Sequence, residues 1–270
     1  MTSLTFTLVS EPPERLDLSP LTPQGLAGLS RRTIEQTRLG LSKRGARVGD
    51  LFRLSGEDAE SIVFAGGSVR FDRLGAGMTE GAIRVTGDAG AQAGRKMSGG
   101  SLTIEGSAGP HAGSGMTGGR LDIHGDAGDF AGGPFTGEMR GMNGGVLVIR
   151  GRAGDQAGDR MRRGLIAVGG GCGDYAGSRM IAGTLAIAGG VGHLPGYLMR
   201  RGSILLDRPP ATLSPSFTGS GAVESVFASL MDRYLIAENI FDKPLLTGAA
   251  GRYCGDNAVL GKGEILYSLR

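Results

Sequence analysis

Few side chains in this chain are able to do chemistry, and their spacing is uneven. There are three histidines, His111, His124 and His193, and two cysteines, Cys172 and Cys254. A zinc or redox site needs such ligands close together or brought into line by the fold. Asp129, Asp155 and Asp174 are a second set, since a carboxylate row suits calcium. GGGCGDYAG (169–177) faintly echoes calcium-binding nonapeptide repeats, which place Asp after GGxGx. GAGMTEG (75–81) is glycine-rich, but no strand-to-helix pattern surrounds it, so it is a poor nucleotide fingerprint. The strongest pattern is cationic: Lys96, Arg160 and Arg179 each precede a methionine, and Arg162-Arg163 and Arg200-Arg201 each follow one. Of 29 basic residues only Lys43, Lys96, Lys243 and Lys262 are lysines, so the positive charge is almost wholly guanidinium, which grips carboxylates or phosphates bidentately.

Those methionines set the register that must position everything else. Met78, Met97, Met116, Met142, Met161, Met180 and Met199 are spaced 19, 19, 26, 19, 19 and 19 residues apart. The long interval holds seven extra residues (26 less 19) within GGPFTGEMRG (132–141), after which the period resumes. A stacked solenoid tolerates such an insertion, because an extra loop bulges from one coil without disturbing the next. Counting from each Met, glycine stands at plus three and aliphatics at plus five and plus seven, as in Leu102/Ile104, Leu121/Ile123 and Leu147/Ile149. Period two over so short a run predicts a short strand with alternate side chains inward. Further glycines and an Ala-Gly pair supply corners that need positive φ or close backbone approach. A helical repeat is excluded, because each glycine inside a helix costs about 1 kcal/mol.

The 52 glycines lack the strict third-residue period of collagen, and the regular aliphatics exclude a disordered chain. The expected fold is therefore all-β: a right-handed parallel β-helix, a solenoid of about seven 19-residue coils, in which residues stack about 4.8 Å apart. Residues 1–54 form an N-terminal capping segment, 55–208 the β-helix, and 209–270 a C-terminal helix and tail. LTFTLVS (4–10) reads as a strand, SRRTIEQTRLG (30–40) as a short helix, VGDLFRLSG (48–56) as the lead into the first coil, and IVFAGG (62–67) as an incomplete capping coil. RPPATLSP (208–215) is expected to stop the stacking, because consecutive prolines remove ladder donors. Beyond it Val223, Val226, Phe227, Leu230, Met231, Tyr234 and Leu235 fall on one amphipathic helical stripe. The outward plus-six position turns from Arg84, Thr103 and Asp122 to Val148, Ala167, Ala186 and Leu205, with Val146 and Leu165 beside it. Either the C-terminal helix or another protein is expected to cover that apolar face.

The register also weighs the chemistry. The three histidines occupy three different slots, so stacking does not gather them into a metal site. The aspartates share slot plus thirteen but have no counterparts in the other units, so solvated loop carboxylates are the plainer reading. Cys172 takes a slot otherwise filled by Ala89, Ala108, Ala127 and Ala153, which makes it a small core residue. The cations cluster along one edge of the later coils, either as solvated corner arginines or as a docking edge for an anionic partner or tail. A formal net charge of +3 does not by itself suggest nucleic-acid binding, and no signal peptide or apolar run near 18 residues appears, so a cytoplasmic, non-membrane protein is expected.

The unit GxxGxIxVxGxAGxxAG resembles the repeat shared by the C subunit of formylmethanofuran dehydrogenase and the C-terminal domain of the glutamate synthase large subunit. VGDLFRLSGEDAE (48–60), DRLGAGMTEG (72–81), MRRGLIAVGG (161–170) and RYCGDNAVLGKGEIL (252–266) resemble the pattern of the dehydrogenase's C subunit, so the likeness spans nearly the whole chain. It implies a scaffold subunit whose catalytic groups and metals sit on partners. In methanogenic archaea the partners form a tungsten- or molybdenum-dependent dehydrogenase. In methylotrophic bacteria they form a formyltransferase/hydrolase complex of amidohydrolase-like A, B and formyltransferase D subunits. That complex moves a formyl group from formyl-tetrahydromethanopterin to a methanofuran-type carrier and releases formate. The Arg-over-Lys bias with abundant Ala and Gly suggests a GC-rich bacterial genome, favouring the second complex; a glutamate-synthase-like structural domain, or an autonomous β-helix enzyme acting on a polymer, is the alternative. The resemblance places no catalytic residue and no bound cofactor on this chain. Methanofuran-type carriers bear poly-glutamate tails, an anionic ligand suited to Arg160, Arg162, Arg163, Arg179, Arg200 and Arg201.

Overall fold

Branched and γ-branched aliphatics at plus five and plus seven, with glycine just ahead of them, leave each unit room for one short strand, and one strand cannot bury two aliphatics alone. A computed structural model, which describes residues 2–42, 45–246 and 248–269, shows how the units solve this together. In chain order the elements are β1 (Ser3–Leu8), β2 (Leu16–Asp17), α1 (Pro23–Leu26), α2 (Arg31–Glu35), α3 (Val48–Leu51), β3 (Phe52–Ser55), β4 (Asp58–Ala65), β5 (Phe71–Asp72), β6 (Ala82–Val85), β7 (Ser101–Ile104), β8 (Thr117–Ile123), β9 (Asn143–Ile149), β10 (Arg163–Val168), β11 (Thr184–Ile187), β12 (Arg201–Leu206), β13 (Thr218–Val223), α4 (Val226–Ala237), β14 (Ala250–Gly255) and β15 (Lys262–Ser268). One 13-stranded sheet runs β13-β14-β15-β12-β11-β10-β9-β8-β7-β6-β4-β1-β3, and every pairing is parallel except those made by β3, β13 and β14.

The register joins equivalent slots. Leu102 lies opposite Leu121 and Leu121 opposite Leu147, and all three are fully buried. The opening methionines from Met78 to Met199 are also fully buried. A second parallel line runs Ala89, Ala108, Ala127, Ala153, Cys172, Val191, one bridge per unit. A third joins successive Ala-Gly corners, where Gly94, Gly113 and Gly132 donate to Leu74, Ala93 and Ala112 at 2.8, 2.8 and 2.7 Å. Backbone groups that would be stranded in a glycine-rich chain are thus satisfied by the winding before. The seven-residue insertion within 132–141 interrupts none of these lines.

Both ends differ from expectation. Residues 62–65 of that stretch belong to a complete ladder strand, β4, and the cap lies further out: β1 adds to β4 in parallel and β3 pairs antiparallel with β1. Phe52–Ser55 therefore closes the edge rather than leading into the first coil. Phe6, Phe52, Phe64 and Phe71 pack ring against ring at this end, with centroids 4.9–6.3 Å apart. They concentrate aromatic area where small repeat residues leave the core open. At the other end the prolines end one winding but not the ladder. After an excursion of some sixty residues β15 pairs in parallel with β12, placing Ile265 opposite Ile204 and Leu266 opposite Leu205. Only then do β14 and β13 close the sheet with antiparallel pairings.

The C-terminal excursion covers the apolar outer face. Val148 is 1% and Leu165 6% exposed, and with Ala167, Ala186 and Leu205 they pack against Ala228, Leu235, Ile240, Leu245, Leu246 and Leu266. The helix does this with only one side of the expected stripe, Leu235 with half-buried Met231, and adds Ala228 and Asp232, which the stripe did not include. Its buried residues are Ala228, Asp232 and Leu235, while Val226, Phe227, Leu230 and Tyr234 stay exposed. The reason is the returning segment 240–246, which supplies its own aliphatics and is tied to the helix through Asp232. That buried carboxylate accepts the backbone N–H groups of Leu245 and Leu246, both at 2.9 Å. Small Ala228 lets the helix approach the sheet, and Arg120 clamps its far end by bridging Asp122 and Glu238. Among the described residues no helix is long and apolar enough to cross a membrane.

Candidate functional site

The cationic residues separate into two groups. Those in the slot before the methionine sit at corners with positive φ (55° at Lys96, 50° at Arg160, 52° at Arg179) and are used internally. Arg179 Nε donates to Asp159 Oδ1 at 2.8 Å and Arg179 Nη2 to Oδ2 at 2.7 Å, and the carboxylate, 1% exposed, also accepts from the Ser178 hydroxyl. Arg160 lies 3.9 Å from the same carboxylate. Lys96 and Arg95 both pair with Glu138, which the inserted residues contribute, at 2.9 and 2.8 Å.

The other group is free. Arg162, Arg163, Arg200 and Arg201 make no side-chain hydrogen bond or ion pair among the described residues, and Arg163, Arg200 and Arg201 are exposed. They flank Ile181-Ala182 of the intervening unit, so the two pairs stand two strand spacings apart, about 10 Å. The β12–β15 register adds a cation that sequence spacing missed, because Lys262 lies directly opposite Arg201 and is exposed. A shallow depression of about 370 Å³ opens beside it, lined by Gly202, Ser203, Cys254, Lys262 and Glu264. Its one carboxylate, Glu264, accepts the Ser203 hydroxyl at 2.8 Å. The edge thus offers four guanidinium groups and an ammonium to an extended anion.

The remaining candidates have structural partners. Asp129, Asp155 and Asp174 do stack, but each carboxylate accepts the backbone N–H one winding on: Asp155 N–H to Asp129 at 2.9 Å, Asp174 N–H to Asp155 at 2.8 Å, and His193 N–H to Asp174 at 2.8 Å. A parallel line of Asp88, Ser107 and Asp126 does the same at another corner, a pattern sequence spacing did not single out. His193 pairs with Asp174, His124 is exposed, and His111 is elsewhere, so the histidines do not meet. Among the described residues no group of three or more His, Cys, Asp or Glu stands close enough to hold a metal ion. GAGMTEG lies in a corner whose Met78 fills the core.

Cys172 is buried in the alanine line, and desolvation pushes its thiol up to about 12. Cys254 is half-buried. A thiolate-selective reagent is therefore expected to titrate one thiol in the native protein and both after denaturation; two fast equivalents in the native state would contradict the alanine-line placement. His111 stacks on Phe130 with centroids 5.0 Å apart and meets the edge of Phe135, over which Arg95 lies at 4.4 Å. Burial foremost, then the Arg95 charge, holds its imidazole below the ordinary value, against the opposing pull of the Pro134 carbonyl, Asp129 and Glu138. The folded state then binds its proton less readily than the unfolded chain, so stability is lost as pH falls below about 6.5. Burial raises Asp232, which acts with the opposite sign, so the informative comparison is the His111→Phe variant, whose thermal midpoint should lose that acid-side slope.

No family profile matches the chain. A curated relative, the C subunit of the formyltransferase/hydrolase complex Fhc of Methylorubrum extorquens, is 47% identical over 86 residues, which is 32% of this chain and 32% of the relative. The aligned stretch is thus about a third of that relative's length. A chain in the crystal structure of the formyltransferase/hydrolase complex FhcABCD from the same organism, in complex with methylofuran, superposes with a TM-score of 0.93 at 46% identity, covering 98% of this chain and all of that one. Identity of this size over the full length, at so close a superposition, shows descent as well as a shared fold, and the chain belongs to the family of C subunits of the formyltransferase/hydrolase complex.

Proposed function

We propose that this chain is the non-catalytic scaffold subunit of a formyltransferase/hydrolase complex. In that complex a formyl group passes from formyl-tetrahydromethanopterin to the amine of a methanofuran-type carrier, and water then cleaves the formyl amide to formate and free carrier. The single observation that carries this reading is the full-length match to a chain of the FhcABCD complex. The residues agree with it, because Asp129, Asp155 and Asp174 are spent on corner hydrogen bonds and Cys172 on packing rather than aligned as nucleophile and base. The partners are the A, B and D subunits. The architecture is a right-handed parallel β-helix over 55–208 between a capping segment and a C-terminal helix and tail, supported by three lines of parallel contact at a 19-residue interval. The same repeat relates it to the glutamate synthase C-terminal domain.

The edge formed by Arg162, Arg163, Arg200, Arg201 and Lys262 guides the anionic tail of the carrier. An extended acidic peptide repeats its same-side carboxylates about every 7 Å, a period that cations 5 to 10 Å apart can follow without ordering the tail at one point. Arg160 and Arg179 serve the edge indirectly, through the corner that Asp159 holds. The test of the scaffold assignment is purification of the chain alone and with its sister subunits. The isolated protein is expected to show neither transfer nor hydrolysis and to restore both when added to complexes assembled without it; hydrolysis of a formylated carrier by the isolated chain would overturn the assignment.

A further inference from the structure

The inner face of α4 already satisfies the fold through Leu235 and its neighbours, yet four of its other large apolar residues point outward. Val226 is 77%, Leu230 56%, Tyr234 39% and Phe227 38% exposed, whereas the buried positions are Ala228, Asp232 and Leu235. Val226, Leu230 and Tyr234 follow one another at four-residue steps, the row of side chains that one helix inserts into the groove of another. A depression of about 430 Å³ opens beside Val226 and Leu230, with Glu224 and Arg233 on its rim. Neither of these charges has a side-chain partner among the described residues. The surface continues through Ser225 into β13, the last strand of the sheet, whose outer edge is unpaired and whose residues Thr218–Ala222 are exposed. That edge carries no lysine and no proline to discourage pairing.

We propose that the outer face of α4, together with the β13 edge, is where a sister subunit docks through an apolar groove flanked by a carboxylate for Arg233 and a cation for Glu224. This rests on membership of the complex proposed above. The matched chain of the four-subunit structure covers 98% of this one. The uncovered 2% of 270 residues is about five, fewer than the 12 of α4, so the helix is at least partly within the shared architecture. Nothing in the chain's own packing needs Val226 or Leu230, and an apolar ridge of this kind in contact with water marks an interface.

The test is co-expression of the tagged full chain with its sister subunits, comparing wild type, the Val226→Asp/Leu230→Asp double variant and the single Leu230→Asn variant. Both variants change exposed side chains, so thermal midpoints should stay within a few degrees of wild type. Recovery of sister subunits is expected to fall at least tenfold with the double variant and less with Leu230→Asn, while Leu230→Met assembles normally. Normal recovery with the double variant would overturn the inference, and if that variant does not fold, normal recovery with Leu230→Asn would do so. An isolated wild type that sediments as a dimer and a variant that sediments as a monomer would overturn it too, assigning the face to a second copy. Capture of no sister subunit by the wild type would instead bring down the complex assignment.

Discussion

Gly145→Val should abolish the cooperative thermal transition of the full chain or lower its stability by more than about 4 kcal/mol. Gly145 has φ +82°, and a Cβ there would stand 2.8 Å from the carbonyl oxygens of both Gly118 and Gly119 in the preceding winding. Left-handed backbone already costs an L-residue about 1–2 kcal/mol, more for a β-branched one, and here the obstacle is backbone that cannot turn aside. Shifting it would stretch the ladder between β8 and β9. Gly137 provides the control: its φ is +86°, but nothing lies within 4 Å of the Cβ position. Gly137→Ala should therefore show the conformational cost alone, about 1 kcal/mol by chemical denaturation. Equal losses in the two variants would mean that close stacking of windings is not what demands glycine.

Replacing Arg162, Arg163, Arg200 and Arg201 together by glutamate should abolish binding of a fluorescent oligo-glutamate, weakening it at least a hundredfold by anisotropy at low ionic strength. Wild-type binding should itself weaken as salt rises, because exposed charges act through solvent. Folding should be little changed, since these side chains have no partners among the described residues to lose. Arg179→Ala is expected to behave in the opposite way. It leaves the Asp159 carboxylate buried with the Ser178 hydroxyl and a more distant Arg160, costing about 1–3 kcal/mol of stability while affecting peptide affinity little. Oligo-glutamate affinity that is indifferent to the four arginines would remove the anionic-tail role and leave the scaffold role standing.

That division within one set of arginines shows where spacing stops being informative. Slot position set Arg160 and Arg179 just before the methionines, where they sit at positive-φ corners, and Arg162, Arg163, Arg200 and Arg201 just after them, where Arg163 and Arg201 open β10 and β12. Which of them remain free depends on Asp159 and Glu138, one buried two residues before a methionine and the other inside the insertion. Lys262 joins the edge from a strand some sixty residues away, and no period announces it, although its GKGEIL segment repeats the Gly-x-Ile order of the earlier units. Positive φ at Gln92, His111, Phe130, Gln156 and Tyr175 was likewise invisible. These are not glycines, and they accept the strain because each N–H donates to the next winding, from Gln92 to Pro110 at 2.8 Å through Tyr175 to His193 at 2.8 Å.

From sequence alone the 19-residue register, the in-register aliphatic columns, the inert character of Cys172 and the apolar turn of the outer face at Val148 were determined, because each is a local consequence of residue size repeated at fixed intervals. Tertiary structure decided the rest. It turned α4 so that Ala228 and Asp232 face inward, since a helix chooses its buried face by what the neighbouring loop already supplies, and here residues 240–246 supply it. It also brought β15 back beside β12, where Ile265 continues the column opposite Ile204 and the strand pairs backbone groups that the β12 edge would otherwise expose.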